Sequence, residues 1–575
     1  MDIFNPRVLR PTLLRPAKTP IFHPVPFRLD YAMDGKTIES TAAILRFPTE
    51  ILSQIVKEIE DADLKSLALA NSDCRQLARS RQFQTIILSG GKATWALLEI
   101  LRQEHVDRTN GRHGYTLGAC VRTMVFNING RMTHQSQHIR MNQAVSSAFR
   151  QHEATFRAIG HRMLDKYNEL LGPILTGGYA LPHLDVIHWV ADTTSAVGGL
   201  FHDRLSPLIL GSNARHLKIS LATIPMTKGV IWPLRSLCLH PYHSRARPEN
   251  VSSESILPAC AATLETLFWT SYPEPANPSE LTFPRLRELE FLEHGGNHLP
   301  LDALLLAPLV VLSLRGANRA IGEILAKRGC ISTLRTFVYC DRYAPTEVLL
   351  PFLRENSHIT HLSLPKNAPD TDWGQILPVL GDFFARLKTL RFGFPESRVP
   401  ISALQAISKI TSLEKLCLYG KSTHELLQFT PRWFIDHDAM RTHFCKLRHL
   451  RKLYYINDTY RPIHTDFDPV DESTFDYYDS RWPGIDLITS LQIEELSYCD
   501  VLWEQQHYER MQEQANLYGE VMLHLKFLYI GHYSMVSKRV GDEVVFEAKI
   551  RHREKISEDS LLEEFGWKGR KQFWG

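Results

Sequence analysis

Leu387-Lys388-Thr389-Leu390-Arg391-Phe392 is one copy of a six-residue pattern that recurs along the chain from residue 200 onward. The pattern reads apolar, polar, polar, apolar, any residue, apolar, and this alternation is typical of a short strand with one buried face. The copies begin at Leu217, Leu234, Leu264, Leu286, Leu309, Leu334, Ile359, Leu387, Leu413, Leu450, Ile493 and Leu525. We therefore expect a long array of short strands.

The spacing of the copies distinguishes them from chance matches. Between Leu264 and Leu413 the successive steps are 22, 23, 25, 25, 28 and 26 residues. Helix-like stretches fill the intervals, at 320–327, 346–353, 372–384 and 401–410. A strand followed by a helix in each repeat predicts a solenoid, in which every repeat buries its apolar face against its neighbours.

On this spacing the array resembles the leucine-rich-repeat family, whose repeats are about 20–29 residues long. The resemblance implies an α/β fold with a curved parallel sheet and helices on its convex side. The array is irregular, because the family's asparagine or cysteine, eight positions after the first leucine, is clear only at Asn367. The steps also lengthen to 37 and 43 residues around Leu450. A non-repeating α/β domain is the alternative interpretation.

The segments around the regular copies complete the predicted domain organisation. Earlier strands of the same sheet are predicted at Val121 and Leu184. We place the solenoid at 89–535, with a helical insertion at 139–174 and an acidic, aromatic segment at 463–484. That segment is interpreted as a solvated loop, with a recognition patch as the alternative. Residues 536–575 are predicted to cover the open end of the solenoid as a cap and tail.

A helical module is predicted ahead of the array, at 44–88. Pro48 suits the first turn of a helix, and Ile51, Leu52, Ile55 and Val56 then form a wide apolar stripe. Two further short helices and a strand ending at Leu88 follow. Three short helices cannot bury all of this apolar surface among themselves, so the excess must contact a partner or the rest of the chain.

These residues resemble the F-box, a motif that opens on Leu-Pro-x-Glu-Ile/Leu-Leu and continues with Asp-Leu. The corresponding positions are Phe47-Pro48-Thr49-Glu50-Ile51-Leu52, Ile55, Ile59, Asp63-Leu64, Leu67, Leu77 and Phe83. Phe47 replaces the opening leucine, Ala70-Asn71 stands where the motif usually has Val-Cys, and Cys74 stands where it usually has an aromatic residue. The resemblance implies docking onto the Skp adaptor of a cullin-RING ubiquitin ligase. The residues it implies for partner binding are Phe47, Pro48, Glu50, Ile51, Ile55, Ile59, Leu64 and Leu67. The alternative is a helical cap on the array.

Composition excludes several classes of protein. The chain of 575 residues is 44% apolar and 22% charged, which excludes wholesale disorder, and its net charge of +3 gives no argument for a nucleic-acid or membrane partner. The nine cysteines are scattered and odd in number, so a reducing compartment, cytoplasm or nucleus, is expected. The longest uncharged apolar run, Ala303–Leu314, is too short to span a bilayer. Residues 1–43 are rich in proline and are interpreted as a disordered arm.

Motifs of enzyme chemistry are absent from the sequence. It contains no HExxH, CxxC or GxSxG, and Gly90-Gly91-Lys92-Ala93-Thr94 lacks the leading glycine and the Ser/Thr of a phosphate-binding loop. His134 and His138 have no further metal ligand at suitable spacing. We therefore predict no catalytic residue, no metal and no cofactor. An enzyme hidden in 139–174 is the weakest of three hypotheses.

The function expected from the two resemblances is non-catalytic. The chain would be the substrate-recognition subunit of an SCF-type ubiquitin ligase, binding a Skp adaptor, and the cullin through it, with a target protein held by the array. Basic residues that alternate out of the predicted core are candidates for target binding, or are ordinary solvated polarity. The candidates are Arg287, Arg335, Lys388, Arg391 and Lys415. The alternative is a repeat scaffold outside any ligase, in which the helical module only caps the solenoid.

Overall fold

The structure is a computed structural model that describes part of the chain. The described residues are 32, 43–88, 92–112, 114–127, 162, 165–176, 178–190, 208–209, 211–220, 232–240, 256–270, 281–292, 301–317, 319–341, 346–364, 373–394, 399–420, 435–456, 496–531, 533–541 and 543–549. They divide into two compact units. The first holds the described residues through Leu289 and 301–307, and the second holds Glu290–Leu292 and the described residues from Pro308 onward.

Three helices form the predicted module: α1 (Thr49–Glu58), α2 (Asp61–Ala70) and α3 (Ser72–Gln82). A single turn of 3₁₀ helix at Ala43–Arg46 precedes them. Their shared core consists of Leu45, Leu52, Val56, Leu64, Cys74, Leu77 and Ala78, together with Cys120 and Ala32. The three helices therefore share one core, and part of their apolar surface packs against other residues of the chain, as expected.

Polar side chains satisfy the helix ends of the module. The Asn71 side chain accepts a hydrogen bond from the Cys74 amide at 2.7 Å and so caps α3. The Arg81 guanidinium donates to the Val56 carbonyl at 2.5 Å and also to the Ile59 carbonyl, at the C-terminal end of α1. A cation at this end of a helix is favourable because the last carbonyls lack intrahelical partners.

The module is packed against the segment 115–120 of the same unit. Tyr115 donates to the Asp73 carboxylate at 2.6 Å, and the Gln76 amide nitrogen donates to the Thr116 carbonyl at 2.9 Å. Cys120, which is buried, joins the module's core. The three helices are thus continuous with the fold that follows them in the first unit.

The first unit continues with parallel strands that pair in chain order. They are β1 (Thr85–Leu88), β2 (Thr123–Asn127), β3 (Val186–Val190), β4 (His216–Ser220), β5 (Ser236–His240) and β6 (Thr266–Thr270). The helices are α4 (Lys92–Thr109), α5 (Ile256–Cys260) and α6 (Leu301–Leu305). Residues 165–175 are also helical, and the rest of the predicted insertion lies outside the described residues apart from 162. Strand β7 (Glu288–Leu292) follows β6.

The second unit continues the same alternation of strand and helix. Its strands are β8 (Val311–Ala317), β9 (Thr336–Asp341), β10 (His361–Leu364), β11 (Thr389–Phe394), β12 (Lys415–Gly420), β13 (Lys452–Ile456), β14 (Phe527–Ile530), β15 (Tyr533–Val540) and β16 (Glu543–Ala548). Its helices are α7 (Arg319–Arg328), α8 (Thr346–Glu355), α9 (Trp373–Phe383), α10 (Ile401–Ser408), α11 (His437–Phe444) and α12 (Leu496–Val521). Helices α7 to α10 confirm the four predicted helical stretches. Pairing from β8 to β14 is parallel.

The register of the strands explains the six-residue pattern. The fourth position of each copy stacks on the fourth position of the next, and all of these side chains are buried. In the second unit this row is Leu312, Phe337, Leu362, Leu390, Leu416, Leu453 and Leu528. Helices pack on this face, as the 5.0 Å between the rings of Phe337 and Phe352 of α8 shows. The fold class is therefore confirmed as mixed α/β with mostly parallel strands in solenoid-like repeats.

Two predicted copies need correction. Leu217 pairs with Leu237, which occupies a fourth position, so the copy in β4 begins at Ala214. The strand predicted at Ile493 is wrong from Leu496 onward, because α12 begins there. Strand β13 pairs directly with β14, leaving no place for a strand between them. Glutamate, glutamine, leucine and methionine make up half of 496–515, and all of them are good helix formers.

Hydroxyl side chains join neighbouring repeats just before the first position of the six-residue pattern. The residue just before the first position donates to the carbonyl of the first-position leucine of the preceding repeat in three cases. The pairs are Thr263 to Leu234 at 2.8 Å, Thr333 to Leu309 at 2.7 Å and Ser412 to Leu387 at 2.7 Å. Asn356 joins two repeats in another way, since its side-chain oxygen accepts from the Ile331 amide at 2.8 Å. These bonds satisfy backbone groups that are buried or partly buried in the turns.

Helix α12 covers the last strand edge of the second unit. Strands β14, β15 and β16 pair antiparallel, which leaves the outer edge of β16 facing α12. The Phe546 amide donates to the Asn516 side chain at 2.9 Å, and the Gln512 side chain donates to the Phe546 carbonyl. A Cβ on Gly519 would lie 2.4 Å from the Val544 carbonyl oxygen, so glycine permits this close approach. Covering an edge in this way prevents unwanted strand pairing.

Candidate partner-binding surfaces

The helical module leaves large apolar side chains exposed. Phe47 is 51% exposed, Ile51 is 46% exposed and Leu69 is 81% exposed, and Ile44 is also exposed. Helix α1 turns Leu52 and Val56 into the core, so Ile51 faces the other way. We call Ile44, Phe47, Ile51 and Leu69 the module surface.

The residues predicted to bind the adaptor fall into three groups. Phe47, Pro48, Glu50 and Ile51 are exposed, as a binding role requires, whereas Ile55, Ile59 and Leu67 are half-buried. Leu64 is only 1% exposed and lies in the module's core, so its side chain does not face outward. The core takes Leu64 because α2 needs a buried side chain to pack against the other two helices.

Leu69 was missed as a member of this surface. It is not among the residues predicted to bind the adaptor, yet it is the most exposed large apolar side chain of the module. The sequence gives one indication that Leu69 is exposed. It follows Leu67 by two residues, and residues two apart on a helix do not lie on the same face.

Two of the residues at which the sequence departs from the expected pattern have structural roles in the module. Cys74 is buried in the core, where desolvation raises the pKa of its thiol. Asn71 caps α3. The three helices therefore pack around a common core with these residues in place.

A second candidate surface runs along the second positions of the repeats in the second unit. Backbone hydrogen bonds of 2.8–2.9 Å join these residues from one strand to the next. From β9 onward they are, in order, Arg335, Thr360, Lys388, Glu414, Arg451 and Lys526. Arg335, Lys388, Arg451 and Lys526 are exposed. We call these six residues the entry row, because they lie where the chain enters each strand.

The charges of the entry row interact with one another. Lys388 and Glu414 form an ion pair at 2.9 Å. The pKa of Glu414 is lowered, first by this hydrogen bond and further by the charges of Lys388, Arg451 and His361. The pKa of His361 is lowered by burial and then by the nearby charges of Lys415 and Lys388. The row therefore has a positive potential despite its one carboxylate.

Of the five residues predicted to bind a target, three are exposed at second positions. Arg335 and Lys388 belong to the entry row, and Lys415 is a half-buried third-position residue beside it. Arg287 is exposed at a second position of the first unit, where its amide donates to the Glu265 carbonyl at 2.8 Å. Arg391 needs correction, since it is only 2% exposed and its guanidinium lies 4.3 Å from the centre of the Tyr419 ring.

Arg391 belongs to the row of fifth-position side chains, and every member of this row in the second unit is buried. The row consists of Ser313, Val338, Ser363, Arg391, Cys417, Tyr454 and Tyr529. Cys417, Tyr454 and Tyr529 form an apolar cluster, and burial raises the pKa of the Cys417 thiol to about 12. The prediction that the fifth-position side chain Arg391 is exposed is therefore wrong. The exposed side chains are those at the second positions, where the chain enters each strand.

Other kinds of site find no support among the described residues. No group of three histidine, cysteine or acidic side chains in the described ranges could hold a metal ion. None of the described helices has the length and apolar character that a membrane crossing needs. His134, His138 and the acidic segment 463–484 lie outside the described residues.

Comparison with known proteins assigns no family. No protein-family model matches the chain, and no curated protein is significantly similar to it. The module surface and the entry row are thus the two features from which a function can be inferred.

Proposed function

We propose that this chain is the substrate-recognition subunit of an SCF-type ubiquitin ligase. In this proposal the module surface binds a Skp-family adaptor, which connects the chain to a cullin, and the repeats of the second unit bind a target protein. The observation that carries the proposal is the module surface. Phe47 and Ile51 stand at the opening of an F-box-like sequence and remain exposed, whereas the neighbouring Leu52 is buried in the core that the three helices share.

The exposed apolar side chains supply the affinity in this proposal. Fully covering a Phe, Ile or Leu side chain contributes about 1.5–3 kcal/mol. Phe47, Ile51 and Leu69 are between 46% and 81% exposed in the free chain, so a partner that covers them gains a large part of the free energy of a specific complex. Without a partner, these apolar side chains would remain in contact with water, which is unfavourable in free energy.

The chain's contribution to ubiquitin transfer would be positional. Binding the adaptor at one surface and a target at another raises the effective concentration of a target lysine at the ubiquitin-charged enzyme. No catalytic side chain is needed for this role. The rigid stacking of repeats, joined by Thr333, Asn356 and Ser412, suits a support that must hold its cargo steadily.

Co-purification of a Skp-family adaptor with the full chain tests the proposal. Ile51→Asp should abolish co-purification, because a charge would be buried without a partner in the interface. Ile51 is preferable to half-buried Ile55, where the same change would disturb the fold. Ile401→Asp is the matched control, since Ile401 is 60% exposed on α10 in the second unit. Equal loss in both variants, or no binding by the unaltered chain, would count against the proposal.

A repeat scaffold outside any ligase is the second candidate. The packing of the module on 115–120, through Asp73 and Gln76, favours it because a cap needs such contacts. A scaffold predicts that the adaptor never binds and that deleting the module unfolds the first unit. Thermal unfolding of the chain from residue 89 onward, together with the adaptor assay, separates the two functions.

A further inference from the structure

We infer that the entry row of the second unit binds an acidic, extended peptide segment. The inference deepens the proposed function. It rests on that function in one respect, because it identifies the peptide segment as part of the ligase's target protein. It names the chemistry of the target and extends the candidate residues to Arg451 and Lys526.

The geometry of the row sets the length of the segment. The six residues immediately precede six successive strands and are joined backbone to backbone from Arg335 to Lys526. Neighbouring strands are about 4.8 Å apart, so the row is about 24 Å long. An extended chain advances about 3.3 Å per residue, so about seven residues of peptide would span it.

The charge of the row sets the sign of the segment. The row has four basic side chains and the single carboxylate of Glu414, which already pairs with Lys388. Arg451 and Lys526 occupy neighbouring strands, with a backbone bond of 2.8 Å between them. Neither forms an ion pair with another described residue. Adjacent like charges oppose folding, and an acidic ligand would relieve that repulsion.

The third positions strengthen the same end of the surface. Lys415 and Lys452 lie directly opposite each other on β12 and β13. Next to Lys452, whose ammonium lies 5.9 Å from the centre of the Phe527 ring, the exposed Val536 pairs with Phe527. The surface thus combines cations with an apolar patch at β14 and β15, which fits a peptide with both acidic and apolar residues.

A peptide fits this surface better than a nucleic acid. A continuous phosphate backbone along the row would contact the carboxylate of Glu414, whereas a peptide can place an uncharged residue there. The net charge of the whole chain is only +3, so it attracts a polyanion weakly at long range.

Fluorescence anisotropy of the full chain, with no adaptor present, tests the inference. The probe is a fluorescein-labelled heptapeptide of alternating glutamate and alanine, and its glutamine analogue and a single-stranded RNA are comparison ligands. Replacing Arg451→Glu and Lys526→Glu together should weaken binding of the acidic peptide at least ~10-fold, and added salt should weaken it for the unaltered chain. The glutamine analogue should bind neither the unaltered chain nor the double variant.

Lys327→Glu with Arg354→Glu is the matched control, because both side chains are exposed on α7 and α8 and the net charge changes equally. Equal weakening by both double variants would overturn the inference. So would row-dependent binding of RNA without binding of the peptide. Peptide binding that persists when the adaptor does not bind would leave this site intact and contradict only the proposed ligase role.

Discussion

Replacing Asn356 by alanine tests how neighbouring repeats are joined. The side chain is fully buried, and its oxygen accepts from the Ile331 amide at 2.8 Å. Its nitrogen donates to the Gly329 carbonyl at 3.1 Å and to the Phe352 carbonyl at 2.8 Å. Alanine removes all three bonds and leaves the buried Ile331 amide without this acceptor.

The expected loss follows from these contacts. A buried donor left unsatisfied costs about 1–3 kcal/mol, and each ordinary hydrogen bond contributes about 1 kcal/mol. Because relaxation recovers part of this, we expect Asn356→Ala to lower the free energy of unfolding of the second unit by about 2–4 kcal/mol. Ser412→Ala removes one hydroxyl bond, to the Leu387 carbonyl, and should cost only about 1 kcal/mol.

Unfolding in guanidinium chloride measures the loss of stability in each of the two variants. Hydrogen exchange at the Ile331 amide is measured on the same proteins. The exchange signal assigns the loss to the second unit, which matters because two units need not unfold in a single step. If Asn356→Ala costs no more than Ser412→Ala, or if the Ile331 amide stays equally protected, the side chain does not join the repeats as described.

Three other features give predictions of their own. Burial lowers the pKa of His437 to about 3. As the pH falls below about 6.5, His437 therefore binds a proton in the unfolded chain but not in the folded chain, and the folded state loses stability. Stability should fall by about 2 kcal/mol more between pH 7 and pH 5 than in His437→Phe, as paired denaturant titrations would measure; an identical fall would contradict the assignment. Gly519→Val should destabilise the second unit by about 1–3 kcal/mol, because its side chain would overlap the Val544 carbonyl, and an unchanged melting temperature would refute that packing. Under native conditions a maleimide should label the exposed Cys445 and spare Cys417, whose pKa is raised to about 12, and mass spectrometry of the digest would detect the reverse.

The repeats could be predicted where strand and helix signals agree. Between Leu309 and Leu413 each strand pattern is followed by an amphipathic stretch, and the structure places α7 to α10 there. The first position at Leu217 was misplaced by three residues because the flanking positions are also apolar, and only pairing with Leu237 fixes the phase. The pattern at Ile493 fits a helix as well as a strand, and the structure resolves that ambiguity at Leu496.

The candidate surfaces were predictable only in part. The periodicity of α1 separates Ile51 from Leu52, but the burial of Leu64 depends on how three helices meet. Similarly, the burial of Arg391 reflects its fifth-position row, which a single strand does not reveal. The entry row needs the register of all its strands, because Arg451 and Lys526 are 75 residues apart in sequence and adjacent in the sheet.

The affinity of the purified full chain for a Skp-family adaptor, measured by isothermal titration calorimetry, tests the central proposal most directly. We expect a one-to-one complex that Ile51→Asp weakens at least ~100-fold and Ile401→Asp leaves within ~2-fold, since only the first change buries an unpaired charge in the interface. A chain that gives no binding heat while remaining folded, or an Ile51→Asp variant that binds as tightly as the unaltered chain, would contradict the assignment of the module surface to an adaptor.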